Sequence, residues 1–458
     1  MYRTGKEPPL VELRLGIDGP RFRARTIAIH YVLIREAVTV ARSLRVTVPK
    51  LRFAIMSDIH ADEQENSDTR IYLEPAHAHR GQYPMADLHH LIQELSLTAD
   101  YLLLPGDTAN KANADGLQYG WRKSHGIASL LGARLIATAG NHDVITHAPS
   151  TDRWQMLRDL LPGFPTGDAA LDRQYWARGW CVLEQADHRI LVLNSTADFP
   201  PYPADPLSPE GVEYFGYIER GGLLPTVEDE VRAFLASAQP KINVAMIHHH
   251  PLEHQLASHL QDSYGPMRRG GELIELFTNA HSSGRWLVLH GHKHIPQLVR
   301  ATSVSSNGPI VLCAGSLGAK IWDPVDTVAR NQFHVLELED RAPEHGSTLI
   351  GAVESFSWGV GVGWYRAERK GSGLPARAGF GSNADPAHLA ARVDALVPDS
   401  PGAFLPYCDL VGELEDLPYL MPADEEALEF HLAGRGLRAL RGADNQVELV
   451  GRKAEPHV

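Results

Sequence analysis

The chain has 458 residues, of which 43% are apolar and 22% charged, and its formal net charge is −13. That length allows two compact units, or one large domain with an appendage, around a core of ordinary size. The negative balance excludes a broad electrostatic grip on nucleic acid or anionic membrane, though not a local basic groove or a phosphate ligand met by metal ions.

Residues 1–50 read as an N-terminal extension, with a strand near 11–15 and a helix around 31–43. From 51 onward short apolar runs recur: FAIMS at 53–57, YLLL at 101–104, RLIATA at 134–139, RILVLN at 189–194, INVAMI at 242–247, WLVLH at 286–290 and PIVLCA at 309–314. Runs this short suit strands buried on both faces. Helix-period segments lie between several of them, at 85–97 and at 226–238, where Thr226 and an acidic first turn mark a helix start. Strands alternating with helices give an α/β domain. Two irregular stretches, 62–84 and the Pro- and Gly-rich 199–225, interrupt the rhythm and read as functional loops or covers.

Past 339 the character changes. A strand-like FHVLELE leads into the aromatic, glycine-rich SFSWGVGVGWYRAER, then a loose segment, then helical patterns at 387–396 and 424–433. WGVGVGW reads as a closely packed strand, since no helix start and no GK[ST] follows it. Residues 340–458 are expected to form a small C-terminal subdomain of unknown role. Cys181, Cys313 and Cys408 lie far apart without a CxxC pair, which fits a reducing compartment. No stretch approaches the roughly 20 apolar residues of a membrane span, so a cytoplasmic protein without membrane contact is expected.

Five polar clusters follow the buried runs. FAIMS ends in Asp58-Ile59-His60, YLLLPG in Gly106-Asp107, and RLIATAG in Gly140-Asn141-His142-Asp143. INVAMI ends in His248-His249-His250, and WLVLH in Gly291-His292-Lys293-His294. Ligands collect at the carboxyl ends of strands in open α/β sheets, so the five clusters can converge. Their Asp, His and Asn side chains are oxygen and nitrogen donors that first-row divalent metals accept. An Asp can bridge two ions with its two oxygens. The glycines before Asp107, Asn141 and His292 permit sharp turns and close backbone approach.

In this order DIH, GD, GNHD, a later His and GHKH resemble the calcineurin-like metallophosphoesterase superfamily, whose pattern is DxH, GD, GNH[DE], H, GHxH. All five blocks are present without a substitution, across 51–339. The resemblance implies a sandwich of two β-sheets flanked by helices, with a two-metal site at one edge. It assigns Asp58, His60 and His294 to one metal, Asp107 to both, and Asn141, one histidine of the triplet and His292 to the other. His142 then faces the substrate and assists the leaving oxygen, and Asp143 orients His142 through a hydrogen bond. Within the triplet, counting back from Pro251 gives His249, with His248 as the alternative. One step along an extended strand reverses the side chain.

The implied activity is hydrolysis of a phosphate ester by a metal-bound hydroxide, with Mn, Fe, Zn or Co as the ions. A small phosphodiester, nucleotides among them, is the expected substrate. Phosphomonoesterase and nuclease readings share the same metal set, and nucleic acid and oligomeric state stay open. A scaffold with its catalysis lost is the reading from another class; such members usually lack a ligand from the blocks, and here none is missing. Other polar residues read as ordinary. His89 and His90 fit a solvated helix face, His77 and His79 a loop surface, and Ser195 and Ser316 structural positions.

Overall fold

The computed structural model describes residues 50–73, 79–255, 265–301, 308–321, 329–341, 348–367, 373–442 and 446–453. Of the expected extension at 1–50, residues 1–49 with the expected strand and helix, and also His77, lie outside the described residues. Residues 50–458 form one compact unit.

Each expected apolar run is a strand. The strands in chain order, with β4 and β8 added to those expected, are β1 (Leu51–Ile55), β2 (Tyr101–Leu104), β3 (Arg134–Ala137), β4 (Trp180–Glu184), β5 (His188–Leu193) and β6 (Ile242–Met246). They continue with β7 (Trp286–His290), β8 (Gln297–Arg300), β9 (Ile310–Cys313) and β10 (Gln332–Arg341). The C-terminal part adds β11 (Thr348–Gly359), β12 (Gly363–Arg366), β13 (Arg377–Phe380), β14 (Phe404–Pro406), β15 (Leu437–Arg441) and β16 (Val447–Arg452).

Two mixed sheets stack as a sandwich flanked by helices. The first runs β12-β11-β10-β1-β2-β3, with β13 also on β11, and the second β4-β5-β6-β7-β9-β8. β1, β2 and β3 are mutually parallel, as are β5, β6, β7 and β9. Alternation along β6 and β7 divides their side chains between two cores. Val244, Met246, Leu287 and Leu289 join Phe53, Leu103 and Leu336 in the main core. Ala245, Ile247 and Val288 pack instead with helices at 227–236 and 270–279. Each fully buried side chain of this size contributes about 1.5–3 kcal/mol.

Helix α1 (Pro84–Leu95) starts on Pro84, whose missing N–H costs nothing there, and buries Met85, Leu88, Leu91 and Ile92 on one face. His89 and His90 are exposed on the other, as expected. WGVGVGW is a hairpin, with Trp358 opposite Trp364. Its two indole N–H groups reach back to α1, one to Asp87 Oδ2 and one to the Pro84 carbonyl, both at 2.8 Å.

Two expectations change. The boundary expected at 339 falls inside β10, and β11 to β13 belong to the first sheet rather than to an appendage. The aromatic and glycine content marks tight strand packing, not a new unit. The appendage is the three-stranded sheet β14-β16-β15 with its own core of Leu389, Leu410, Leu428 and neighbours. The stretch 199–225 is not wholly irregular either. It contains a helix at Pro209–Arg220, here α2, started by Ser208, whose Oγ accepts from Gly211 N at 3.2 Å, and by Pro209. That Ser-Pro-Glu start was readable but lay hidden among prolines.

His334 of β10 is fully buried, its Nδ1 2.8 Å from Ser355 Oγ and its Nε2 2.8 Å from the Ala314 carbonyl. Burial pushes its pKa down to about 4. An unfolded histidine titrates near 6.5, so the unfolded chain binds the proton first. Stability from this residue is therefore present above pH about 6.5 and falls by about 3 kcal/mol on approaching pH 4. Urea unfolding across that window should show a shallower acid-side loss for His334→Gln than for the wild type. An identical slope in both would disprove the assignment.

Candidate metal centre

The carboxyl ends of β1, β2, β3, β6 and β7 bring the five clusters together. Asp58, His60, Asp107, His292 and His294 all have left-handed backbone, with φ between 50° and 73°. For side chains with a Cβ this costs about 1–3 kcal/mol each, so surrounding contacts must impose it. They do: Asp58 N and His60 N donate to the Gly106 and Asp107 carbonyls at 3.1 and 2.9 Å, locking the first two loops together. The glycines serve close approach. A Cβ on Gly140 would lie 2.1 Å from Asp107 Oδ1, and one on Gly291 2.4 Å from Asp58 Oδ2.

Two groups of donors result. In one, His294 Nε2 lies 3.2 Å from Asp58 Oδ1 and 3.1 Å from His60 Nε2. In the other, His248 Nε2 lies 3.0 Å from Asn141 Oδ1, and His292 Nδ1 lies 3.2 Å from the same oxygen. Asp107 Oδ2 stands between the groups, 3.6 Å from His60 Nε2 and 3.2 Å from His248 Nε2. Donors bonded to one ion at about 2.0–2.2 Å sit about 3.0–3.5 Å apart, so these spacings fit the edges of two coordination shells. Clusters of Asp and His able to hold ions overlap through Asp107 and His248.

A family profile described as calcineurin-like phosphoesterase matches residues 51–296. The chain belongs to this family. This phosphoesterase is also similar to solved structures. A dimetal phosphatase from Danio rerio matches at 11% identity and TM-score 0.41, over 67% of this chain and 95% of that one. A purple acid phosphatase from yellow lupin (Lupinus luteus) seeds matches at 14% and 0.44, over 70% and 53%. A 5'-nucleotidase precursor from Thermus thermophilus matches at 13% and 0.31, over 68% and 55%. No curated protein matches the chain.

Inside the phosphoesterase the triplet separates by strand alternation. The chain stays paired past β6, with Ile247 N donating to Leu289 O and His248 O accepting from Gly291 N. His248 therefore continues the face of Val244 and Met246 and points at the first sheet. Its Nδ1 meets the Pro105 carbonyl at 2.8 Å, which leaves Nε2 for Asp107 and Asn141. His249, the expected ligand, lies in one cluster with His248 and His292 able to hold an ion, but its ring bonds elsewhere. That ring faces the other way, with Nδ1 2.7 Å from Ser195 Oγ and Nε2 3.0 Å from the Ile218 carbonyl of α2. Both its nitrogens are occupied, so His249 fastens α2 to the strand rather than turning to Asp107. Gly221 at the end of α2 makes room for it, since a Cβ there would lie 2.3 Å from Nδ1.

Asp143 also differs from expectation. Its carboxylate accepts from Ala109 N at 2.8 Å and Gly140 N at 2.9 Å, tying two loops together instead of holding His142. His142 is held by backbone: its own N donates to Asp107 Oδ1 at 2.8 Å, and its Nδ1 accepts from Lys111 N at 3.3 Å. Lys111 and Ala112 adopt left-handed backbone to aim these groups, a turn no sequence signal announced.

Charge in the centre calls for a cation. Asp58 and Asp107 are buried, which would raise a carboxyl pKa, yet neighbouring histidines hold both well below the usual range. Burial would strip the proton from His248, but the Asp107 carboxylate pushes it up to about 9. The same field suits a metal ion in that proton's place. His249 is driven low, by burial first and then by His248, and so stays a neutral donor to Ile218. The clustered Asp and His residues support metal-dependent phosphoesterase chemistry. Among the described residues no helix is long and apolar enough to cross a membrane.

Proposed function

We propose that the chain hydrolyses a small phosphodiester, of the size of a nucleotide, at a centre of two metal ions. The observation that carries this reading is the position of Asp107 Oδ2 between His60 Nε2 and His248 Nε2. Asp58, His60 and His294 would hold one ion; Asn141, His248 and His292 the other; Asp107 would join them. Mn, Fe, Zn and Co all suit this nitrogen and oxygen set. When bound, two such ions clamp phosphate oxygens and supply a nucleophile from water at neutral pH.

The residues of the chain do the remaining work. His142 accepts at Nδ1 from Lys111 N, so its proton sits on Nε2, the atom left to donate to a departing oxygen. Ser316 Oγ donates to the Asp58 carbonyl at 2.8 Å and fixes the strand end on which Asp58 and His60 stand. Substrate size is limited by the two covers. α2 is anchored directly to His249, and the loop after His60 is anchored through Asp62, which accepts from Asn110 Nδ2 at 2.7 Å. Two basic groups near these covers are paired with acids, Lys111 with Asp68 and Arg268 with Asp198, and the chain as a whole carries a net charge of −13. That balance disfavours a polynucleotide and favours a compact diester.

The test is hydrolysis by the full chain reconstituted with Mn, with and without a chelator. Bis-(p-nitrophenyl) phosphate and cyclic nucleotides should be cleaved faster than p-nitrophenyl phosphate, and single-stranded DNA should resist. Faster cleavage of the monoester or of DNA would overturn the substrate class. A chain holding two metal ions that cleaves no ester would overturn the activity.

A further inference from the structure

Where β13 meets the appendage, a cavity of about 170 Å³ opens between Arg377 and Tyr407. Arg377 belongs to the sandwich, and Tyr407 opens the appendage helix Tyr407–Glu413. Leu417, Leu420 and Val447 supply an apolar lining. These three and Tyr407 also border the closed interior of the appendage around Leu410 and Leu428.

The polar groups at the cavity are unequally satisfied. Arg441 is engaged by Glu429 and, at 3.1 Å, by Glu425. Glu354, opposite Arg377 on β11, lies 3.9 Å from Arg366 instead. Among the described residues the Arg377 guanidinium has no carboxylate within 4.0 Å and no hydrogen bond, although the residue is partly buried. Burial and the nearby Glu425 push the Tyr407 phenol up to about 12, so it remains an O–H donor. A partly buried guanidinium without an acid is an unbalanced charge, and its planar fork matches a carboxylate or phosphate.

We propose that this cavity binds a small organic anion, a carboxylate or phosphate group on a compact apolar body. Arg377 takes the anionic group, the Tyr407 hydroxyl donates to it, and Leu417, Leu420 and Val447 enclose the body. Because Arg377 stands on the sandwich and Tyr407 on the appendage, the ligand clamps the two together. The site uses no residue of the metal centre.

The probes are benzoate and phenylphosphonate, titrated into the metal-loaded full chain and followed by ligand-observed NMR. The two probes separate a carboxylate site from a phosphate site. At least one should bind the wild type, and Arg377→Gln should weaken it by roughly tenfold or more, with partial recovery in Arg377→Lys. Tyr407→Phe should weaken it less. Asp107→Asn should leave that binding unchanged, whereas phenylphosphonate held at the metal centre would be lost there. Diester hydrolysis and circular dichroism of Arg377→Gln should match the wild type, which separates lost binding from lost folding. Equal binding by wild type and Arg377→Gln would overturn the proposal. So would no binding of either probe to the wild type at about 10 mM, or binding abolished only by Asp107→Asn.

Discussion

Asp107→Asn is expected to lower diester hydrolysis by more than about 10³-fold, beyond the roughly 10–100-fold that loss of a supporting partner causes. The substitution keeps the side chain's shape and the Oδ1 acceptor for His142 N, a bond of 2.8 Å, so the loop should hold its place. What it removes is the charge and basicity of Oδ2, the oxygen that lies near both His60 and His248. Metal content measured on the purified variant should fall below two ions per chain, with an unchanged circular dichroism spectrum. Wild-type turnover and two retained ions would refute the bridging role.

The second large effect distinguishes the members of the triplet. His248→Ala removes Nε2 from the Asn141 and Asp107 oxygens and leaves the Pro105 carbonyl without its partner. Hydrolysis should drop by about 10²–10³-fold, with one ion lost per chain. His249→Gln touches a different structure, the bonds to Ser195 and to Ile218 of α2. Two ions should remain, with a loss of no more than about 10–100-fold that falls on KM as the cover loosens. If the His249 variant loses metal while the His248 variant keeps it, the assignment reverses.

The contrast also shows what the sequence could reveal. Five polar blocks after buried runs can converge at the strand ends of such a sheet, and the family resemblance singled out Asp58, His60, Asp107, Asn141, His292 and His294 among them. The choice within the triplet was not legible. β6 is buried at every position, so burial along its sequence does not mark which face looks at the first sheet. Only the packing of Val244 and Met246 between the sheets fixes the direction of His248. Asp143 and the Lys111 turn escaped for a related reason. Their roles are bonds donated by backbone amides, and a backbone amide has no residue identity to read. The appendage boundary was missed because hydropathy does not distinguish the last strands of one sheet from the start of another unit.

The place of β1 in mid-sheet has a consequence for how the molecule comes into being. The strand that carries Asp58 and His60 lies against β10, and Lys50 meets Glu337 across 287 positions. The loop after β9 then braces the strand end, with Leu317 N donating to Ser57 O at 2.8 Å. During synthesis the first donors of the centre emerge early and wait, since their strand has no neighbour on one side until β10 is made. Closing so long a loop is slow, and the bare edge of β1 is exposed to other chains in the meantime. A fragment ending with the matched residues at 296 would hold every proposed metal ligand and keep that edge open permanently.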